Sequence, residues 1–119
     1  MRVFFWLIPD HPVFHQPNQI ETQLGNAPRM WSGDIGDLIR INPDTNSQAA
    51  NAQLLAGTNP AWKMDHATLV SCVDGRVIIQ TFGSHEYQTQ EMISLWQNYI
   101  YQTLKYHFEA LCENVVQRR

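Results

Sequence analysis

Ala67-Thr68-Leu69-Val70-Ser71-Cys72-Val73-Asp74-Gly75-Arg76-Val77-Ile78-Ile79-Gln80-Thr81-Phe82 is the stretch that decides the fold. Two apolar runs dense in β-branched residues flank Asp74-Gly75. Branched side chains suit the pleated surface of a strand. Asp-Gly between two such runs is a strong short-range hairpin signal, so the stretch reads as two antiparallel strands. Upstream, Gly36-Asp37-Leu38-Ile39-Arg40-Ile41 is closed by Asn42-Pro43-Asp44 and reads as a further strand. Val3 to Ile8 has the length and composition of another. That apolar run of six residues is too short for a signal peptide.

Downstream of Gly83-Ser84 the period changes. Met92, Leu95, Trp96, Tyr99, Ile100, Leu104, Phe108, Leu111 and Val115 recur at three- and four-residue steps, the pattern of an amphipathic helix. Ser84 is its expected N-cap, and Glu86 in the first turn complements the helix dipole. An unbroken helix over 86–117 would be about 48 Å long. A globule of this chain length has a radius of gyration of only roughly 13–14 Å. The helix is therefore expected either to break around Lys105–Glu109 or to project and pack against another chain. Residues 44–60 read as a short Ala/Gln/Leu helix stopped by Gly57, or as a polar loop. Apart from Val3–Ile8, residues 1–31 read as irregular, because Pro9, Pro12, Pro17 and Pro28 break any long element. The expected class is α+β: a small antiparallel sheet packed against a long C-terminal helix, in one domain of residues 1–119.

Composition narrows the function classes. The chain has 119 residues, 44% of them hydrophobic and 16% charged, with a net charge of −3. It is too apolar to be disordered and too acidic for a phosphate-binding surface over the whole domain. Lys105, Arg118 and Arg119 are the basic residues near the aromatic series Trp96, Tyr99, Tyr101, Tyr106 and Phe108. RNA binding there would be weak and salt-sensitive. No stretch is long and apolar enough to span a bilayer as a helix. Cys72 and Cys112 form neither a disulfide framework nor a metal knuckle, which fits a reduced, cytoplasmic setting. Cys72 reads as a packing residue. His11 and His15 flank prolines without further ligands, so no metal or cofactor is expected.

Trp62-Lys63-Met64-Asp65-His66-Ala67-Thr68-Leu69-Val70 places His66 at the start of a strand. This order, with Gly36-Asp37-Leu38-Ile39 before it and Asp74-Gly75 and Val77-Ile78 after it, resembles the H-box of the lecithin:retinol acyltransferase-like proteins, in which a Gly-Asp-Leu-Ile-type strand precedes a His-x-Ala strand and an Asp-Gly turn and a Val-Val/Ile strand follow. It also resembles the related picornaviral 2A proteins of the H-box/NC class. Both belong to the NlpC-type, papain-like α+β superfold. Leu111-Cys112-Glu113-Asn114-Val115-Val116 partly matches the second family motif, Asn-Cys-Glu-His-Phe. The resemblance covers residues 36–79 and 111–116.

The resemblance implies thiol chemistry. Cys112 would attack an acyl carbonyl, His66 would take the proton, and a third polar group, Asp65 or Gln80, would orient the imidazole. The sequence departs from the family at two positions. Leu111 stands where the family has Asn, and Ile79, which cannot hydrogen-bond, stands where it has the orienting His. Gln80 is the nearest polar substitute. A mid-helix Cys112 also lacks the helix N-terminus that lowers a thiol pKa.

The implied protein is thus a 2A-like viral non-structural protein without efficient catalysis. It would act through host or viral partners in genome replication and pair as a homodimer through the C-terminal helix. The competing class is an active Cys112–His66 acyltransferase or phospholipase A-type hydrolase, and the third is an RNA-binding accessory domain. The plain alternatives are a structural His66 bonded to a neighbour such as Asp65, and a Cys112 that fills a helix core as a small hydrophobe.

Overall fold

Leu69 and Val70, adjacent in the hairpin, point to opposite faces of one sheet because side chains alternate along a strand. Each face carries its own apolar cluster. In this computed structural model, residues 2–24, 27–28, 30–33, 36–42, 51–59, 64–83 and 89–117 are described. The strands are β1 (Arg2–Trp6), β2 (Gln23–Leu24), β3 (Ala27–Pro28), β4 (Met30–Gly33), β5 (Gln53–Gly57), β6 (Ala67–Cys72) and β7 (Val77–Gln80). A 3-10 turn, Pro12–Phe14, follows β1, and one helix, α1 (Thr89–Gln117), closes the chain. Five strands form an antiparallel sheet in the order β4-β1-β5-β6-β7, and β2 and β3 pair separately. The class is α+β, with β5-β6-β7 as a continuous antiparallel run.

The hairpin forms where its sequence places it, with Cys72 opposite Val77 and Leu69 opposite Gln80. Its connection is wider than Asp74-Gly75 alone. Val73, Asp74 and Gly75 take positive φ values of 54°, 55° and 87°. For a branched residue such as Val73 this is a strained conformation. Gly75 is required twice over: its φ is positive, and the Tyr106 ring of α1 covers the space where a Cβ would stand. Gly36, with φ 63°, packs its α-carbon against the Thr81 carbonyl, which leaves no room for a methyl group.

Three sequence expectations are corrected. The Gln/Leu/Ala stretch read as a helix ending at Gly57 is the central strand β5. Leu55 faces the main core and Leu54 the outer cluster, so both sides are buried and the alternation that marks a half-exposed strand is missing. Gly36–Ile41 contributes only an isolated bridge, Ile39 to Ala67, and lies across the outer cluster with Ile39 and Ile41. The N-terminal segment is less irregular than its prolines suggest, since it supplies β2, β3 and the start of β4 besides β1. The expected Ser84 cap and Glu86 fall outside the described residues, as do 44–50 and 60 of the polar stretch.

Helix α1 does not break at Lys105–Glu109. It continues to Gln117, about 44 Å of helix, in a molecule whose longest extent is 54 Å. Its buried face carries Met92 and Leu95 against the core, then Asn98, Tyr99 and Gln102. Asn98 is fully buried and fully used. Its amide donates to the Val13 carbonyl (2.8 Å) and the Asn18 carbonyl (2.7 Å), and its Oδ1 accepts from the Asn18 N–H (2.9 Å). One turn on, the Gln102 amide donates to the Pro12 and Gln16 carbonyls. Asn18 reciprocates with its own amide to the Ser94 carbonyl and Gln97 Oε1. Two helix side chains thus supply the partners that a proline-rich loop cannot find in a ladder. That loop in turn seats Val13, Phe14 and Ile20 in the core, Phe14 against Trp6 at 4.8 Å between ring centroids.

Replacing Asn98 by Leu, of similar volume, would leave one buried and two half-buried backbone groups without their partners. A loss of roughly 3 kcal/mol is expected, since an unsatisfied buried polar group costs about 1–3 kcal/mol. Urea unfolding of the variant beside the wild-type protein measures it.

Candidate functional site

His66 sits immediately before β6, half-buried, and its carbonyl accepts a hydrogen bond from the Thr58 N–H (3.0 Å). Gly57 closes against the same carbonyl. The position follows from the β5–β6 pairing, in which Gly57 lies opposite Ala67. Asp65 beside it forms an exposed ion pair with Arg40 (3.0 Å). Gln80 Oε1 accepts the Tyr99 hydroxyl (2.8 Å), and its amide donates to the Phe82 carbonyl (3.1 Å), which ties β7 to α1. Burial pushes the Tyr99 hydroxyl well above the usual phenol range. Ile79 pairs with Val70, four residues along β6 from His66, so it does not flank the imidazole.

Cys112 lies on α1, exposed rather than packed in a helix core. Its place relative to His66 follows from where the helix touches the hairpin. Tyr99 meets Gln80 at one end of β7, and Tyr106 covers Gly75 in the turn at the other. The helix therefore runs from the Gln80 end toward the turn and beyond it. His66 is at the far end of β6 from that turn, and Cys112 is six residues past Tyr106. From the rises of strand and helix, about 30 Å separates them. The described structure does not bring the sulfur and the imidazole together. Cys72, half-buried against the outer cluster, is a packing residue, and burial pushes its thiol up. Among the described residues no group of three or more His, Cys, Asp or Glu could hold a metal ion. His85 lies outside the described residues, and His107 is exposed on α1.

The feature most available for function is the outer face of α1. Ile93, Trp96, Ile100, Leu104, Phe108 and Leu111 are each between 37% and 61% exposed. At 100° per residue they fall within about 120° of arc, nearly opposite the arc of Met92, Leu95, Asn98, Tyr99 and Gln102. The apolar series read as one amphipathic face is thus two faces. One holds the domain together, and the other points away from it. The sequence signal that separates them is the polar pair Asn98 and Gln102 at helical spacing beside Leu95 and Tyr99: it marks the inner face.

No family model, curated protein or solved structure matches the chain. No helix among the described residues is long and apolar enough to cross a membrane.

His11, weighed in the sequence only as a metal ligand, is a buried titratable group. His11 accepts the Val13 N–H at Nδ1 (3.1 Å), capping the 3-10 turn, so its proton sits on Nε2 and is donated to Gln53 Oε1 (2.8 Å). Burial holds its pKa below the ordinary 6.5; the Gln53 bond opposes the shift and the charge of His15 adds to it. A depressed histidine contributes stability that is complete above the unfolded value and is lost as pH falls from about 6.5 toward the folded value. Melting temperature is expected to drop as pH falls below 6.5. His11→Asn, which keeps an N-cap acceptor, should flatten that dependence; thermal melts of both proteins across the same pH series measure it.

Proposed function

We propose that this chain is a non-catalytic interaction domain that works through the outer face of α1. The observation that carries the reading is a row of six large apolar side chains left in water on a helix whose opposite face packs on the core. Water penalises such a row, and contiguous exposed apolar surface on this scale marks a contact site. The resemblance to the H-box/NC class supports the wider assignment: a 2A-like viral non-structural protein with a papain-like, NlpC-type ancestry, engaging host or viral partners during genome replication in the cytoplasm. The free state of Cys72 and Cys112 is consistent with a reducing compartment.

The separation of His66 from Cys112 supports a loss of thiol chemistry. A catalytic thiol needs its base within hydrogen-bond reach. RNA binding is the weaker alternative, because the outer row is aliphatic as much as aromatic and holds no cation. Stacking platforms need a basic groove around the rings.

Alkylation decides between the thiol and interaction readings. The iodoacetamide reaction of Cys112, read by mass spectrometry of its peptide, is expected to follow an ordinary exposed thiol and to be the same in His66→Ala. A fast reaction well below pH 8 that His66→Ala suppresses would establish an activated thiol and remove the interaction reading.

A further inference from the structure

The outer row of α1 has an internal symmetry. Its residues 93, 96, 100, 104, 108 and 111 are spaced three, four, four, four and three. Read from either end the spacing is the same, with the midpoint at the level of residue 102. Turned end for end, the row superposes on itself: Ile93 falls on Leu111, Trp96 on Phe108, and Ile100 on Leu104. Each pair matches in size class, aliphatic with aliphatic and aromatic with aromatic. Ile93 to Leu111 is also 18 residues, five helical turns at 3.6 residues each, so the row runs straight along the helix rather than winding around it.

From this we infer that the partner on this face is a second copy of the chain. The two α1 helices would pack nearly antiparallel about a two-fold axis at the level of residue 102. The inference rests on the interaction reading above and names its partner. A two-fold interface must be self-complementary, each contact appearing twice with the residues exchanged. An end-for-end palindrome of apolar side chains satisfies that condition on one helix. A different partner protein would place no such demand on it.

Area and charge agree. With Tyr101 at the rim, the exposed parts of these side chains offer on the order of 700 Å² per chain, close to the roughly 800 Å² each partner gives to a standard interface. Lys105 and Glu109 lie off the row, so no lysine, arginine or carboxylate is buried when the helices meet; the exposed Gln97 and His107 lie within the same arc, exchange with each other about residue 102, and would face one another as a polar pair. The domain body is on the opposite face of α1, which leaves the approach of a second copy open.

Sedimentation equilibrium of the whole chain tests the partner, and engineered cysteines test the direction. The wild-type protein is expected at twice its 13.8 kDa chain mass. Ile100→Lys/Leu104→Lys is expected to weaken association at least about 100-fold, with an unchanged circular dichroism spectrum because neither side chain supports the monomer. In a Cys72→Ser, Cys112→Ser background, Ile93→Cys/Leu111→Cys should cross-link into a covalent dimer on mild oxidation, and Ile93→Cys alone should not.

A wild-type protein that stays monomeric up to about 200 µM overturns the second copy as partner. Efficient cross-linking by Ile93→Cys alone overturns the antiparallel arrangement. Either result is distinguishable from a failure of the interaction reading, which an activated, His66-dependent Cys112 thiol would remove.

Discussion

The Asn98 side chain holds the molecule's two halves together. The N-terminal loop from Pro9 to Ile20 carries three buried apolar residues into the core and, apart from its own local turn bonds, pairs with no strand. Asn98 accepts one of its N–H groups and donates to two of its carbonyls, all at 2.9 Å or less. Gln102 adds weaker amide bonds a turn later, with its own buried Oε1 left unpartnered. A helix side chain that replaces a missing sheet ladder is stabilising only if nearly every lone pair and proton is used, because low dielectric penalises whatever is left over. Asn98 meets that condition. Its demand for a fixed place at the loop sets the rotation of α1, and the rotation sets which residues face water.

That rotation explains the helix's dual character. Met92 and Leu95 must face Trp6, Leu55, Leu69 and Phe82, so residues half a turn away must face out. At those positions stand Ile93, Trp96, Ile100, Leu104, Phe108 and Leu111, where a solvated helix would carry charge. The far half of α1 runs past the hairpin turn, anchored by Tyr106 over Gly75, and gives the molecule a radius of gyration of 15.1 Å, above that of a close-packed globule of this length. A projecting helix with an apolar outer row is costly for a monomer and ordinary for a chain that pairs.

Much of this was legible in the residues, and the failures have physical causes. The hairpin was readable because Asp74-Gly75 and its branched flanks are local signals. The long helix was readable from its period, and so was the alternative that it projects. Strand β5 was not, because Leu54, Leu55 and Ala56 are buried on both faces and lack β-branching, so tertiary context overrides local preference. The two faces of α1 were merged because three- and four-residue steps taken over the whole series do not say which residues share an arc. The His66 strand context was legible. The distance to Cys112 was not, since it depends on how far the helix runs past the turn.

Double electron–electron resonance between spin labels on the two copies of Cys112 tests the central claim most directly, in a Cys72→Ser background that leaves one exposed thiol per chain. Antiparallel helices centred at residue 102 put each Cys112 opposite position 92 of the other chain, 20 residues from its own counterpart along the axis. The expected result is a single narrow distance distribution at about 30–40 Å, from a rise of 1.5 Å per residue and the width of a helix pair. A distribution below about 20 Å, as parallel helices would give, or no dipolar modulation at all, would contradict it.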